Sequence, residues 1–308
     1  MNIQKLLFKL TGLGLNAVSL LSPQKAGRLA YNLFVNPPRP VLRAKDEDFL
    51  NTATRKDVIH SGHSVVEYHW GESDNPYVLL SYGWAYNSGR WRYFVPPLVA
   101  AGFRVIAYDP PGHGHAPKGQ LHLAYNAQII RSIFETYGQP KMMIGHSFGG
   151  ASLITALSKL PVSLHPERMV VMAAFSDSMH VFRYFQKGLG LNEKAFAKYI
   201  DCIKAEARSA TDSLDLVHLT AHLGHIKTML VHDPMDKVTQ ANQSQRYHLV
   251  WPGSVLYAPL GATHHLGTPR VTNAIIDFLL KDEIPQSATI QVRPLPADAK
   301  LEEYFVKV

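Results

Sequence analysis

Short apolar runs alternate with helical patterns along most of this chain of 308 residues, and that alternation limits the possible folds most strongly. Tyr77–Tyr82 and Phe103–Asp109 are apolar stretches, typical of strands buried on both faces of a parallel sheet. Asn126–Gly138, between two such runs, has the apolar spacing of an amphipathic helix. Since helices that connect parallel strands cover both faces of the sheet, we predict an α/β fold with a mostly parallel, doubly wound sheet.

The periodicity also divides the chain. The pattern of residues 1–40 predicts a helical leader that is followed by a connector, because three prolines occur within Asn36–Pro40. Residues 41–284 predict the α/β core, with a helical cap inserted at about residues 176–224, where no buried-strand run occurs. Residues 285–308 are weakly patterned and predict a tail along the surface.

Residues 1–22 are apolar and carry two lysines, but polar residues interrupt them too often for a membrane span. On a helix, one face would carry Leu6, Leu10, Leu13, Ala17 and Leu20, and the other face Lys5, Lys9, Gly12, Asn16 and Ser19. We predict that this helix docks on the domain; the alternative is a helix that lies in a membrane interface. The predicted location is therefore cytoplasmic, with peripheral membrane contact through residues 1–22 as an open alternative.

Composition argues against several other classes of protein. The formal net charge is +7, but the basic residues are scattered, so we predict no nucleic-acid site. The single cysteine, Cys202, excludes an internal disulfide and fits a reducing compartment. No metal-ligand spacing occurs, and we predict neither a metal nor an organic cofactor.

The stretch Gly145–Gly149 has the pattern G-x-S-x-G, directly after an apolar run and directly before a helical pattern. A serine on such a turn is exposed to substrate, and small flanking residues let strand and helix approach each other. The helix N-terminus also offers free N–H groups to a developing oxyanion. The pattern therefore predicts that Ser147 is a nucleophile, with the N–H of Phe148 as one oxyanion donor.

A serine nucleophile needs a base, and the base needs an acid that orients it. His264 and His265 follow a late predicted strand, and both are candidates for the base. Asp233 and Asp236 follow the strand before it, and one of them is the predicted acid while the other makes turn hydrogen bonds. Asp177 is a more remote candidate.

The oxyanion hole needs a second N–H from the loop after an earlier strand. That place is occupied by Leu79–Trp84, where Gly83 lets the backbone turn. The predicted second donor is the N–H of Trp84.

Taken together, the chain resembles the α/β-hydrolase fold superfamily over about Val58–Leu280. Five stretches carry the resemblance, in this order: Leu79–Trp84, Ala107–Ala116, Met142–Gly150, Leu230–Val238 and Gly261–Gly267. The resemblance implies that the acid is Asp236 and the base is His264. It implies that Trp84 is an oxyanion donor.

The resemblance also implies that the turn containing His113 and His115 is mainly structural. The chain departs from the family at Tyr82, where a histidine is usual, and at Ala116, where a small hydroxyl residue is usual. The His-Gly-Gly-Gly motif of many lipases and esterases is absent.

The predicted function is that of a serine hydrolase that cleaves a carboxylic ester through Ser147, His264 and Asp236. The predicted partner is a small, ester-like and apolar substrate, because the cap region is rich in apolar residues. Thioesters, amides, lactones, acyl transfer and carbon–carbon bonds beside a ketone are alternatives on the same residues. A non-catalytic binding protein on a hydrolase fold is the alternative from another class.

Overall fold

A single sheet of eight strands organises the part of the chain that the computed structural model describes, residues 3–39, 41–207 and 214–285. The strands are β1 (Thr54–His60), β2 (His63–Trp70), β3 (Tyr77–Ser81), β4 (Arg104–Asp109), β5 (Met142–His146), β6 (Arg168–Met172), β7 (Lys227–Val231) and β8 (Val255–Tyr257). Their order in the sheet is β1-β2-β4-β3-β5-β6-β7-β8. Strand β2 pairs antiparallel with both of its neighbours, β1 and β4. The other neighbouring pairs, from β4 through β3 to β8, are parallel. The predicted mostly parallel α/β sheet is confirmed.

Ten α-helices surround the sheet in these residues. They are α1 (Ile3–Leu21), α2 (Pro23–Val35), α3 (Ala44–Leu50), α4 (Val95–Ala100), α5 (Leu123–Tyr137), α6 (Phe148–Leu157), α7 (Ser178–Leu189), α8 (Glu193–Ala207), α9 (Asn242–Val250) and α10 (Pro269–Lys281). Ile133 of α5 and Leu153 of α6 are fully buried against one face of the sheet. Leu98 of α4 and Ile275 of α10 are fully buried against the other face. Both faces are thus covered, which explains why the central strands are continuous apolar runs.

Strand β1 was not predicted by the apolar pattern, because most of its side chains are exposed and polar. It lies at the edge of the sheet and pairs only with β2, through a tight turn at Ser61 and Gly62, both of which have positive φ. Edge strands of this kind lack the apolar alternation that marks buried strands.

Residues 90–102 have an apolar pattern that predicts one helix, but the structure divides this stretch in two. A 3-10 helix over Ser88–Tyr93 comes first, and α4 then begins at Val95 with the proline pair in its first turn. Proline lacks the N–H that a helix interior requires but fits the first turn, so the pair starts a new helix.

A separate helical layer covers one end of the sheet. It combines α1 and α2 from the N-terminus with α7 and α8 from the predicted cap, and these four helices share one apolar core. Ala26 and Ala30 of α2 are fully buried in it beside Tyr199 of α8. A Cβ at Gly27 would lie 2.5 Å from the backbone of Lys198, so α2 and α8 are in close backbone contact. The leader and the cap therefore pack together although they are far apart in sequence.

Helix α1 docks on this layer through a face that combines the buried Leu15 with small and polar residues. Gly12 and Ser19 are buried, and a Cβ at Gly12 would lie 1.8 Å from the carbonyl oxygen of Leu189. The Asn16 amide donates to the carbonyl of Gly190 at 2.8 Å and its oxygen accepts from the N–H of Asn192 at 2.8 Å. The apolar face predicted from the sequence is instead exposed: Leu6, Leu10, Leu13, Ala17 and Leu20.

Two further predictions concern the ends of the chain. In the described part, no helix combines the length and the apolar character needed to cross a bilayer. The predicted tail over residues 285–308 lies outside the described residues apart from Pro285.

Candidate active site

Ser147 occupies a strained turn between β5 and α6. Its φ of 52° and ψ of −120° are unusual for a residue with a side chain, and its N–H donates to the carbonyl of Met172 at 2.7 Å. The apolar strand before it and the helix that begins at Phe148 hold this conformation from both sides. Backbone strain that is held by its surroundings is typical of functional sites.

The two glycines of the G-x-S-x-G pattern are required by close backbone contacts. A Cβ at Gly145 would lie 2.5 Å from the Cα of Gly150, and a Cβ at Gly149 would lie 2.2 Å from the carbonyl oxygen of Ser81. Any larger residue at either position would push α6 away from the sheet. The sequence pattern thus reflects the sharpness of the turn that presents Ser147.

His264 lies between Ser147 and Asp236 and contacts both. The Ser147 hydroxyl lies 3.1 Å from Nε2 of His264, and Nδ1 of His264 lies 2.7 Å from Oδ2 of Asp236. We assign the imidazole hydrogen to Nδ1, because Nδ1 faces a carboxylate that can only accept. Asp236 follows β7 and His264 follows β8, so both meet Ser147 at the carboxyl ends of the parallel strands.

Burial raises the pKa of Asp236, but hydrogen bonds from His232 and His264 and from the backbone N–H of Val238 outweigh it and hold that pKa well below its usual value. Oδ1 of Asp236 accepts from the N–H groups of Val238 and Thr239, at 2.7 and 3.1 Å. The carboxylate is therefore charged and fixed, and it can stabilise an imidazolium at His264.

The neighbouring candidates have other contacts. Asp233 accepts from the N–H of Met235 at 2.8 Å and from the N–H of Thr263, so it orders the two loops that carry Asp236 and His264. The side chain of His265 is exposed and faces the Tyr86 ring, with 6.4 Å between ring centroids. Asp177 caps the N-terminus of α7 through a 2.8 Å hydrogen bond from the N–H of Met179.

Two further residues, which sequence reasoning did not identify, hold the loop of His264. Nε2 of His146 donates to the carbonyl of His264 at 2.8 Å, and the guanidinium of Arg90 donates to the carbonyl of His265 at 2.7 Å. Burial lowers the pKa of His146 well below its usual value, and Arg90 and His264 lower it further, so the ring is neutral. His146 fills the variable position before Ser147, and nothing in the sequence indicated what it would contact.

The backbone around Gly83 approaches Ser147 closely. A Cβ at Gly83 would lie 3.1 Å from the Cβ of Ser147 and 2.9 Å from Nδ1 of His146. The indole ring of Trp84 packs edge-on against Phe148, with 5.0 Å between ring centroids. The loop after β3 and the start of α6 therefore flank Ser147, as the predicted oxyanion donors Trp84 and Phe148 require.

Tyr82, which departs from the family pattern, anchors this loop. Its hydroxyl donates to Oδ1 of Asp109 at 2.8 Å, and Oδ2 of Asp109 accepts from the N–H of His115 at 2.9 Å. His113 is buried, and its Nε2 accepts from the N–H of Ala85 at 3.0 Å. The predicted structural turn and the loop after β3 are thus joined through buried hydrogen bonds.

A cavity of about 490 Å³ opens above Ser147. Its wall is mostly apolar and comes from the helical layer as well as from the sheet, with aromatic rings from both. Phe34 of α2 stacks on Trp84 at 5.6 Å and packs edge-on against Phe185 of α7 at 5.1 Å. Among the described residues, no group of three or more histidine, cysteine or acidic side chains is arranged to hold a metal ion.

Comparison with known proteins supports the fold. A family model described as alpha/beta hydrolase fold matches residues 76–201. The carboxylesterase CesB of Bacillus subtilis superimposes with a TM-score of 0.58 at 15% identity, over 85% of this chain and 99% of that one. The chain therefore has the α/β-hydrolase fold, and the predicted resemblance is confirmed.

Curated relatives match shorter parts of the chain. The bifunctional esterase/perhydrolase DCH of Acinetobacter calcoaceticus is 27% identical in an alignment of 141 residues that covers 41% of this chain and 51% of that protein. A serine hydrolase-like protein of Danio rerio is 38% identical over 95 residues, 29% of each chain. The chain thus spans about half the length of these relatives or less.

Proposed function

We propose that this chain, which has the α/β-hydrolase fold, is a serine hydrolase that cleaves a carboxylic ester with an apolar acyl group. The observation that carries the proposal is the continuous hydrogen-bonded series from Asp236 through His264 to Ser147, with contacts of 2.7 and 3.1 Å. The series ends at a strained serine beneath an apolar cavity. That combination supplies a base, an orienting acid and room for a substrate.

The proposed reaction has two halves. The Ser147 oxygen attacks the ester carbonyl carbon while its proton passes to Nε2 of His264, and the carbonyl oxygen becomes an oxyanion. The oxyanion is bound by the N–H groups of Trp84 and Phe148. The intermediate then collapses: the carbon–oxygen bond to the alcohol breaks, and the alcohol leaves with the proton from His264.

Water completes the cycle. It attacks the acyl-enzyme carbonyl carbon and gives a proton to Nε2 of His264. The bond between that carbon and the Ser147 oxygen then breaks, the Ser147 oxygen takes the proton back from His264, and the carboxylic acid is released. Asp236 keeps the imidazole in one tautomer and stabilises its cation in both halves. No metal or organic cofactor enters any step.

The lining of the cavity supports an apolar acyl group. A volume of about 490 Å³ lies within the usual range for small-molecule sites, about 300–1,000 Å³. Phe34, Phe182 and Phe185 contribute aromatic wall area to it. An esterase and a serine hydrolase-like protein among the similar proteins agree with this reaction class.

Labelling with a fluorophosphonate probe tests the proposed nucleophile. We expect one label per folded molecule, mapped by peptide mass spectrometry to Ser147. His264→Gln should slow labelling by at least about a hundredfold, because the base is lost. His265→Gln, at the neighbouring candidate, should slow labelling far less, because the His265 ring contacts the Tyr86 ring instead of Ser147. His222→Gln, an exposed histidine that does not line the cavity, is the control and should label like the native chain. Folded protein that takes no label would reject the proposal in favour of a non-catalytic binding protein.

A series of p-nitrophenyl esters of increasing acyl length tests the substrate class. We expect kcat/KM to rise with chain length until the cavity is filled. Phe34→Ala should shift the preference towards longer or bulkier chains, because it removes part of the cavity wall. Tyr93→Ala, an exposed aromatic residue that does not line the cavity, is the control. Labelling without turnover of any ester would point to thioesters, amides or carbon–carbon bonds.

A further inference from the structure

Helix α1 exposes most of its leucines, while its docked side combines the buried Leu15 with small and polar residues. The exposed fractions are 52% for Leu10, 63% for Leu13 and 83% for Leu20. On the opposite side, Ser19 is only 2% exposed, and the Asn16 side chain makes two hydrogen bonds to the end of α7 and the start of α8. A helix that needed only to cover the domain would turn the leucines inward.

The hydrogen bonds and close contacts fix this rotation of α1. Asn192 donates from its amide to the Ser19 hydroxyl at 2.7 Å and from its backbone N–H to Asn16 at 2.8 Å. At Gly12 the helix touches the backbone of Leu189 so closely that no Cβ would fit. Turning α1 to bury its leucines would break these contacts. The exposure of the leucines is therefore fixed by the packing of the opposite side of the helix.

The exposed face is continuous. We call it the leucine face; its members are Leu6, Leu7, Leu10, Leu13, Ala17, Leu20 and Leu21. Contiguous apolar patches of this kind mark interaction sites, whereas single exposed leucines do not. We propose that the leucine face docks on the surface of a bilayer that contains anionic phospholipid.

Charge distribution favours a lipid surface as the partner. Helices α1 and α2 together contain four basic and no acidic residues: Lys5, Lys9, Lys25 and Arg28. Lys9, beside the leucine face, and Lys25 and Arg28 of α2 are exposed. An apolar helix face flanked by basic residues is the pattern of helices that lie in the plane of a membrane interface.

Docking would bring the cavity to the membrane. Phe8 of α1 lines the cavity and packs edge-on against Phe185, with 5.8 Å between ring centroids. The helix that carries the leucine face is therefore also part of the cavity wall. Membrane docking by the leucine face does not depend on the proposed reaction. The further step, in which the cavity takes an ester substrate from the bilayer, rests on the proposed function.

Vesicle flotation tests the docking surface with a catalytically inactive chain, so that failure of the proposed chemistry cannot affect the result. Ser147→Ala protein is mixed with vesicles of phosphatidylcholine alone or with phosphatidylglycerol added. We expect binding to the anionic vesicles, weakened by high salt because the basic residues contribute.

A double variant, Leu10→Ser with Leu13→Ser, should lower vesicle affinity at least about tenfold, since two inserted leucines are lost. Val162→Ser is the matched control, because Val162 is 63% exposed, like Leu13, and lies outside α1. Circular dichroism and thermal unfolding show whether the variants keep the fold, which exposed substitutions should leave intact.

Three results would overturn the proposal. One is absence of binding to every vesicle; another is native affinity in the double variant. The third is a dimer by light scattering that becomes a monomer in the double variant without any vesicle binding, which would make the leucine face a contact between two copies.

Discussion

Among the described residues, His264 and His60 each link a buried carboxylate to a serine, yet of the two serines that they contact only Ser147 has the surroundings of a nucleophile. Asp236 contacts His264, which contacts Ser147. Glu67 contacts Nε2 of His60 at 2.8 Å, and Nδ1 of His60 lies 3.1 Å from the hydroxyl of Ser132.

In the group of Glu67, His60 and Ser132, the carboxylate and the histidine have no free hydrogen-bonding position that faces the cavity above Ser147. Glu67 is fully buried and also contacts Nε2 of His69 at 2.9 Å and the hydroxyl of Tyr137 at 2.7 Å. The remaining nitrogen of His69 accepts from Arg104 at 2.9 Å. These contacts occupy the carboxylate and both histidines, so the group joins β1, β2 and α5.

The two serines differ in backbone and access. Ser132 lies inside α5, where neighbouring N–H groups are committed to helical hydrogen bonds, and it does not line the cavity. Ser147 lies on a strained turn at a helix N-terminus below the cavity. An acid, a histidine and a serine in contact are therefore not enough to make the serine a nucleophile. The serine must also lie on an exposed turn, with free N–H groups and space for a substrate beside it.

The largest expected effect separates the two serines. Ser147→Ala should lower kcat by about 10⁴-fold or more, because the nucleophile is lost. Ser132→Ala should leave kcat within about twofold, since Ser132 contacts no proposed substrate position. Steady-state kinetics on the best p-nitrophenyl ester measures both. A comparable loss of kcat in the two variants would mean that the surroundings of Ser147 do not set it apart from Ser132.

The next effect separates the acids near the active site. Asp236→Asn should lower kcat by about 10⁴-fold, because the amide no longer stabilises the imidazolium or selects its tautomer. Asp233→Asn weakens only hydrogen bonds of the loops, so the decrease in kcat should be much smaller than for Asp236→Asn. Thermal unfolding of both variants serves as the control for folding. If Asp233→Asn proved the more damaging to kcat, the acid would have to be reassigned.

The smallest effect on activity is expected at Glu67, where stability should change instead. Burial raises the pKa of Glu67, but hydrogen bonds from His60, His69 and Tyr137 outweigh it and lower that pKa to about 2. An unfolded glutamate has a pKa of about 4.3. Because the folded pKa is the lower one, this stabilisation is present above the unfolded pKa and is lost as the pH falls towards the folded pKa.

Glu67→Gln should therefore lower the free energy of unfolding by about 3 kcal/mol at pH 7, as the pKa difference implies. The difference in free energy of unfolding between the native chain and Glu67→Gln should become smaller as the pH falls from about 5 towards 2. Urea unfolding at several pH values measures it, and kcat per folded molecule should be unchanged. A gap that stayed constant with pH would mean that the charge of Glu67 contributes nothing.

Local sequence patterns were sufficient to predict the central part of the fold. Buried strands such as β3 and β5 are continuous apolar runs, and a strand buried on both faces requires such a run wherever it occurs. The G-x-S-x-G pattern likewise predicted a sharp turn at Ser147, because backbones that touch exclude side chains at Gly145 and Gly149. The polar edge strand β1 lacked an apolar pattern and was missed.

The parallel sheet, the turn at Ser147 and the order in which serine, acid and histidine follow the strands thus depend on local sequence. Which face of α1 is buried follows from tertiary contacts, since it depends on Asn16 and Gly12 meeting residues near Leu189, far along the chain. The contact of Asp236 with His264 beside Ser147 is also a tertiary contact; the local sequence left Asp233 and His265 open, and the family resemblance implied Asp236 and His264. Their catalytic roles stay predictions. The physical reason for the division is that strand burial and tight turns depend on neighbours in sequence, whereas hydrogen-bond partners and helix rotation depend on distant segments.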